Sequence, residues 1–312
     1  MRATLRVLVT GAAGFIGRHV VAALEREKHE IFAAVRGASR IKSSGAGLSR
    51  AQVVEMDLES DAEVRGAIER VSPEIAIHLA WYAVPGVYWT SRENLECVIG
   101  GLRLARALAD CGCKRLVAAG SCAEYEWKSG VLSEEGTPLA PRTLYGACKC
   151  ALRQMLERFC AQASMELAWT RLFYLYGPGE KQERLVPSVI LPLLRGETAR
   201  CTRGEQARDF LYVEDAAEAL VAVAISDFAG AVNIGSGEPV KVKTVVETIA
   251  RVLGRGERVA FGALPENPGD PPKLIADVQR LNRDVGWKAS RTLEEGLAKT
   301  VDWWKAREGA RV

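Results

Sequence analysis

Tyr145, Lys149 and Ser121 are the residues of this chain whose types and spacing could move a proton. A phenol has a pKa of about 10 and is a poor base at neutrality. A lysine four residues further on shares its helical face, which brings an ammonium to the phenol. A unit charge about 4 Å away, at an effective dielectric near 20, is worth about 4 kcal/mol. The pair therefore predicts a Tyr145 pKa lowered by roughly one to three units, toward the range of a working acid or base. The Ser121 hydroxyl is suited to hold a carbonyl or alkoxide oxygen beside that phenol.

A second set of residues lies near the N-terminus. In Val7-Leu-Val-Thr-Gly11-Ala-Ala-Gly14-Phe-Ile-Gly17, glycines fall at a three-residue interval between an apolar run and an amphipathic one. Gly11 permits a tight turn, Gly14 lets a pyrophosphate reach the backbone, and Gly17 lets the following helix pack closely on the strand. The start of that helix would hold phosphate charge with its N–H groups and dipole. A dinucleotide site for NAD usually carries Asp or Glu about 20 residues beyond the glycines. Here Arg36 stands there, followed by Ser39 and Arg40. A guanidinium can grip a 2′-phosphate bidentately, so NADP(H) is the expected cofactor, with NAD as the alternative. Asp57 and Leu58 are expected at the adenine edge. Lys149 would also reach the nicotinamide ribose.

These residues need a scaffold that brings strand ends together. Strands are predicted over 5–10, 31–35, 52–55, 74–79, 115–119 and 166–171, and helices over 15–27, 61–71, 92–110 and 145–163. Strands that are apolar throughout suit a parallel sheet covered on both faces. The alternation implies α/β architecture, a doubly wound parallel sheet of the Rossmann type. Residues 1–173 are assigned to this dinucleotide-binding domain, with 210–235 returning to it. Residues 174–312 form mainly a smaller C-terminal substrate-binding lobe, because prolines and glycines cluster at 177–179 and 265–272.

Composition limits the alternatives. The 312 residues are 48% hydrophobic and 26% charged, ordinary for a globular chain. Lys and Arg total 42 against 39 Asp and Glu, and a dispersed net charge of +3 is not a nucleic-acid footprint. No apolar run approaches the roughly 18 residues of a membrane span. Eight cysteines form no C-x-x-C pair, and three histidines lack ligand spacing, so no metal is expected. Free thiols with no export-signal pattern imply a cytoplasmic protein. Trp81, Tyr82, Tyr88 and Trp89 are candidates for a pocket wall, whereas Glu124 and Tyr125 read as structural and Trp303-Trp304 as an anchor of the last helix.

The chain resembles the extended short-chain dehydrogenase/reductases, the NAD(P)-dependent nucleotide-sugar epimerases, dehydratases and reductases. The resemblance is carried by Thr10-Gly11-Ala-Ala-Gly14-Phe-Ile-Gly17, His78-Leu79-Ala80, Ser121-Cys-Ala-Glu-Tyr125, Tyr145-Gly-Ala-Cys-Lys149, Tyr176-Gly-Pro-Gly179 and Arg208-Asp-Phe-Leu-Tyr-Val-Glu-Asp215. It implies Tyr145 as acid/base, Lys149 as its electrostatic partner and Ser121 as the oxygen holder. Ala13, Phe15, Ile16, Leu79 and Ala80 would join the glycines around the cofactor. A nucleotide-sugar substrate would meet Ser121, Cys122, Tyr174, Arg208 (on its pyrophosphate) and Asp270, and two chains would pair as a homodimer.

Departures from the family pattern narrow the reaction. Dehydrating relatives follow the hydroxyl residue with Asp-Glu, where this chain has Cys122 and Ala123. Relatives that combine epimerisation with reduction place a cysteine at the position of Ala123. Tyr174 replaces an Asn that touches the sugar nucleotide, and Asn267 replaces an Arg, for which Lys181 or Arg184 could substitute. Cys97 replaces a structural Asn on the long helix, with Asn94 nearby. Arg36 then favours an NADPH-dependent reductase of a nucleotide-linked keto-sugar, such as a 4-keto-6-deoxyhexose. An NAD-dependent C4 epimerase is the alternative, and a non-catalytic dinucleotide sensor is the reading of another class.

Overall fold

The computed structural model describes residues 4–37, 50–128 and 130–309. Its main sheet has seven parallel strands. The first five in chain order are β1 (Arg6–Thr10), β2 (Glu30–Val35), β3 (Gln52–Glu55), β4 (Ile75–His78) and β5 (Arg115–Ser121). In space, β3-β2-β1-β4-β5 continues through Glu166–Leu172 to Gly230–Ile234. This is the expected doubly wound α/β sheet, with the change of direction between β1 and β4. Residues such as Val7, Leu8, Val9, Ala76, Ile77, Leu116 and Val117 are fully or almost fully buried, because helices cover both faces.

The helix α1 (Phe15–Arg26) follows β1 and turns Gly17, Val20, Val21, Ala23 and Leu24 inward. Helices Glu93–Asp110 and Leu144–Gln162 lie against each other on the other face. Thr143 opens the second of these by accepting from the N–H of Gly146. β5 runs two residues beyond its predicted end, because Gly120 and Ser121 keep their register with Arg171 and Leu172. Ser121 is thus the last residue of a strand.

The segment expected to return to the main sheet divides. Ala207–Tyr212 belongs instead to a second sheet, where it pairs with Pro239–Lys241, Lys273–Ala276 and Tyr174–Tyr176. Its Phe210 and Tyr212 pack into a separate apolar cluster with Val189, Ile190, Val245, Ile249 and Trp304. That burial is unavailable on the main sheet. The helix that follows, Val213–Ile225, packs on α1, and Gly230–Ile234 pairs with Glu166–Leu172. The two sheets therefore alternate along the chain. Trp304 is buried and Trp303 meets it edge to face at 4.8 Å, which fixes the last helix.

All eight cysteines are free, and burial pushes every thiol pKa upward, to about 12 at Cys113 and Cys122. Among the described residues no group of His, Cys, Asp or Glu is arranged to hold a metal, and no helix is long and apolar enough to cross a membrane.

Gly17 sits where a Cβ would press into the carbonyl of Gly11 and the backbone of Ala12, neither of which can move aside. Gly17→Ala is expected to cost roughly 1–3 kcal/mol, read as a lower urea midpoint at unchanged m-value.

Candidate functional site

The candidate site lies at the C-terminal ends of β1, β4 and β5, where open α/β sheets receive ligands. At the first of these ends Gly11 takes φ +69°, and a Cβ there would stand 2.8 Å from the N of Ala80. The turn is thereby pressed onto Leu79 and Ala80, as the sequence motifs require. Gly14 caps α1 without any side chain, and no acidic residue occupies the first turn. A backbone cradle of this kind, with a bare helix start, fits the pyrophosphate of a dinucleotide. Ala13 lies in the turn, and Phe15 and Ile16 open α1.

At the end of β2, Arg36 is already engaged. Its Nη1 lies 2.9 Å from Oε1 of Glu59, with both side chains about half exposed. Asp57 accepts from the N–H of Glu59, and Leu58 packs over Gly100. Ser39 and Arg40 lie outside the described residues. A 2′-phosphate reaching Arg36 would have to displace the Glu59 carboxylate.

Ser121 is held by a buried carboxylate. Glu124, with no exposure, accepts from the Ser121 N–H at 2.7 Å, from Trp169 Nε1 at 2.9 Å and from Arg171 Nε at 2.9 Å. Arg171 is equally buried, donates to the Tyr125 hydroxyl, and Tyr125 donates to Asn233. Glu124 and Tyr125 are thus fully committed to structure. The Ser121 hydroxyl accepts from the Ala123 N–H at 3.2 Å and lies beside the Tyr145 phenol, whose pKa it draws down.

Tyr145 stands inside an aromatic box. Tyr88, Trp89 and Trp81 each meet its ring edge to face, at 4.9, 5.7 and 6.2 Å. This apolar enclosure drives the Tyr145 pKa upward, against the opposing influence of Ser121. The lowering expected from Lys149 is not what the geometry gives. Lys149 Nζ lies 5.9 Å from the Tyr145 ring, donates to the Ala119 carbonyl at 2.6 Å and rests on the Trp81 face at 3.5 Å. Helical spacing places both residues on one face, but the close partners of the ammonium are the Ala119 carbonyl and the Trp81 indole. Burial pushes the lysine's own pKa down to about 7.

The residues expected at the substrate form a contiguous strip beyond Ser121. Cys122 is buried directly after Ser121, and its carbonyl accepts from Trp127 Nε1 at 3.0 Å. The Arg208 guanidinium lies 5.6 Å over the Tyr174 ring and pairs with Asp270. The suggested substitutes take other partners. Lys181 donates to the Ala83 carbonyl, and Arg184 covers Tyr88 at 5.1 Å. Asn94 is wholly buried and binds the carbonyls of Tyr88 and Ser91, whereas Cys97 accepts from the Tyr82 N–H. Trp81, expected as a pocket wall, is also the bed of Lys149. Glu180 went unassigned by sequence reasoning; it is buried beside Arg184, with a pKa pushed up to about 8, and only its adjacency to Tyr176-Gly-Pro-Gly179 could have pointed to it.

The family model for the NAD dependent epimerase/dehydratase family matches residues 7–235. The chain belongs to that family. Among curated relatives, a probable UDP-glucuronate 4-epimerase of Rhizobium meliloti is 28% identical, over 96% of this chain and 97% of the relative. A dTDP-4-dehydro-6-deoxy-D-allose reductase of Streptomyces is 26% identical, over 96% of each. Among solved structures, MoeE5 in complex with UDP-glucose and NAD is 33% identical, with TM-score 0.83 over 97% of this chain and 99% of that one. The Thermotoga maritima UDP-glucose 4-epimerase with UDP-glucose reaches TM-score 0.86 at 25% identity, over 97% and 99%. The chain is therefore an enzyme of a family working on nucleotide sugars.

Lys149 gives a pH signature. From about pH 7 to about 10.5 the unfolded chain holds a proton that the native lysine has released, so this group makes stability rise with pH across that window. Lys149→Met is expected to be more stable than the parent at pH 6.5, with the difference shrinking by pH 9, as read by urea unfolding at both values. Glu124→Ala strands the Arg171 charge and is expected to cost about 3–5 kcal/mol in the same assay.

Proposed function

We propose that this enzyme interconverts a hydroxyl and a keto group on the sugar of a nucleotide sugar, and that it does so as a C4 epimerase with NAD. The observation that carries the chemistry is the Tyr145 phenol, enclosed by Tyr88, Trp89 and Trp81 beside Ser121, at the sheet edge that also carries the glycine cradle. The Arg36–Glu59 pair supports the cofactor choice, because it sets a carboxylate where a 2′-phosphate would approach. Gly11, Ala13, Gly14 and Gly17, with Leu79 and Ala80, would hold the dinucleotide, which would supply the hydride acceptor and donor.

Tyr145 takes the proton from the sugar hydroxyl as the carbon is oxidised and returns it when the keto group is reduced. Ser121 keeps the reacting oxygen against the phenol. Lys149 provides the positive charge that a phenolate in this enclosure needs. Tyr174 and Arg208 take the nucleotide side of the substrate, with Arg208 exchanging Asp270 for the pyrophosphate. The aromatic box excludes water from the transfer. The pair Cys122 and Ala123 has no carboxyl group, which argues against elimination of water.

A second reading, an NADPH-dependent keto-sugar reductase, draws on the same phenol. With its pKa held high, Tyr145 rests protonated and ready to donate to a keto oxygen. Cofactor analysis separates the two. An epimerase is expected to release about one NAD per chain when the purified protein is denatured, and to equilibrate UDP-glucose or UDP-glucuronate with its C4 epimer. Absence of bound cofactor, together with oxidation of added NADPH by a 4-keto nucleotide sugar, would establish the reductase. In either case Tyr145→Phe is expected to lower kcat at least roughly 100-fold while the cofactor still binds.

A further inference from the structure

Lys149 is buried, with 4% exposure, yet its charge has no carboxylate of its own. Glu124, the nearest acid, is committed to Arg171, Trp169 and the Ser121 N–H. The groups facing Lys149 from the packed elements are otherwise uncharged. They are His78 on β4, whose Nδ1 bonds Thr10 and whose pKa burial drives down to about 3, Cys97 on the Glu93–Asp110 helix, and Tyr145 on its own helix. Two electron-rich surfaces remain: the Ala119 carbonyl and the face of Trp81, 3.5 Å from Nζ to the ring centroid. The indole is itself fixed, because its Nε1 donates to Asn94 Oδ1 at 2.8 Å and Asn94 is anchored by the Tyr88 and Ser91 carbonyls.

From this geometry we infer that Trp81 is a positioning residue, whose π face keeps Lys149 charged and in place beneath the proton-transfer pair. A desolvated ammonium on a tryptophan face gains substantially from the ring quadrupole. Without that face, Lys149 would have a single acceptor for three N–H groups. Asn94 acts one step further out, by setting the orientation of the ring. The seat of Lys149 on Trp81 follows from the fold alone, whereas its use at Tyr145 rests on the proposed function.

The test compares Trp81→Leu, which keeps apolar bulk but removes the π face, with Trp81→Phe, which keeps a π face but loses the indole N–H. Lys149 is observed directly in full-length protein carrying ε-carbon-13 lysine, its resonance assigned by loss in Lys149→Arg. Parent protein is expected to titrate near pH 7. Trp81→Leu should titrate roughly one pH unit lower, and Trp81→Phe close to the parent. The alkaline limb of the kcat profile should move with the resonance, while cofactor Kd changes by less than about threefold. An unshifted resonance in Trp81→Leu, or an equal shift in both variants, overturns the inference. A shifted resonance with no matching change in kcat leaves Trp81 beneath the lysine and instead sinks the role proposed for Lys149 at Tyr145. Thermal melting of each variant verifies that the fold persists, and an unfolded Trp81→Leu transfers the comparison to Trp81→Met.

Discussion

One carboxylate, Glu124, decides where the chemistry can occur. It is fully enclosed, and its oxygens gather a guanidinium, an indole N–H and the backbone N–H of Ser121. A lone carboxylate in such surroundings would cost several kcal/mol, and only this saturation of its lone pairs offsets the cost. The same contacts end β5 and bend the chain into a short turn, so the Ser121 side chain emerges at the sheet edge in one orientation. Gly120 has no side chain because a Cβ there would strike Trp169 and Glu124. A residue enclosed in the core thereby determines what a substrate meets.

Around this point the two sheets share the work. The main sheet brings the glycine turn, Leu79-Ala80 and Ser121 to one edge through parallel register, which needs no information beyond apolar strands and right-handed crossovers. The second sheet, by contrast, is assembled from short strands distant in sequence, among them Tyr174–Tyr176, Ala207–Tyr212 and Lys273–Ala276. It places Tyr174, Arg208 and Asp270 next to Cys122. Reacting carbon and nucleotide anchor are thus handled by separate layers joined at Cys122 and Tyr174.

Most of the main sheet was legible in the sequence because strands such as β1, β4 and β5 are buried on both faces and alternate with amphipathic helices. Tyr145, Lys149 and Ser121 could be picked out for the same reason, since spacing on a helix and position at a strand end are local properties. The direction taken by the lysine side chain was not legible. It depends on Trp81, which lies 68 positions earlier in the chain, and on the Ala119 carbonyl, neither of which a helical repeat can reveal. Arg36 shows the same limit, for its charge is met by Glu59 across a strand boundary. The fate of Phe210–Tyr212 was settled by a rival apolar cluster rather than by strand propensity, which is the usual way tertiary context overrides a local pattern.

The cysteines have a practical side. Thiolates are the species that attack peroxides, disulfides and alkylating reagents, and burial leaves almost none of them at neutral pH. With six of the eight sulfurs enclosed, only Cys97 and Cys111 are partly open to solvent. The molecule should therefore tolerate aerobic handling without reductant, and a single reporter dye attached at an added surface cysteine would face little competition from the native ones.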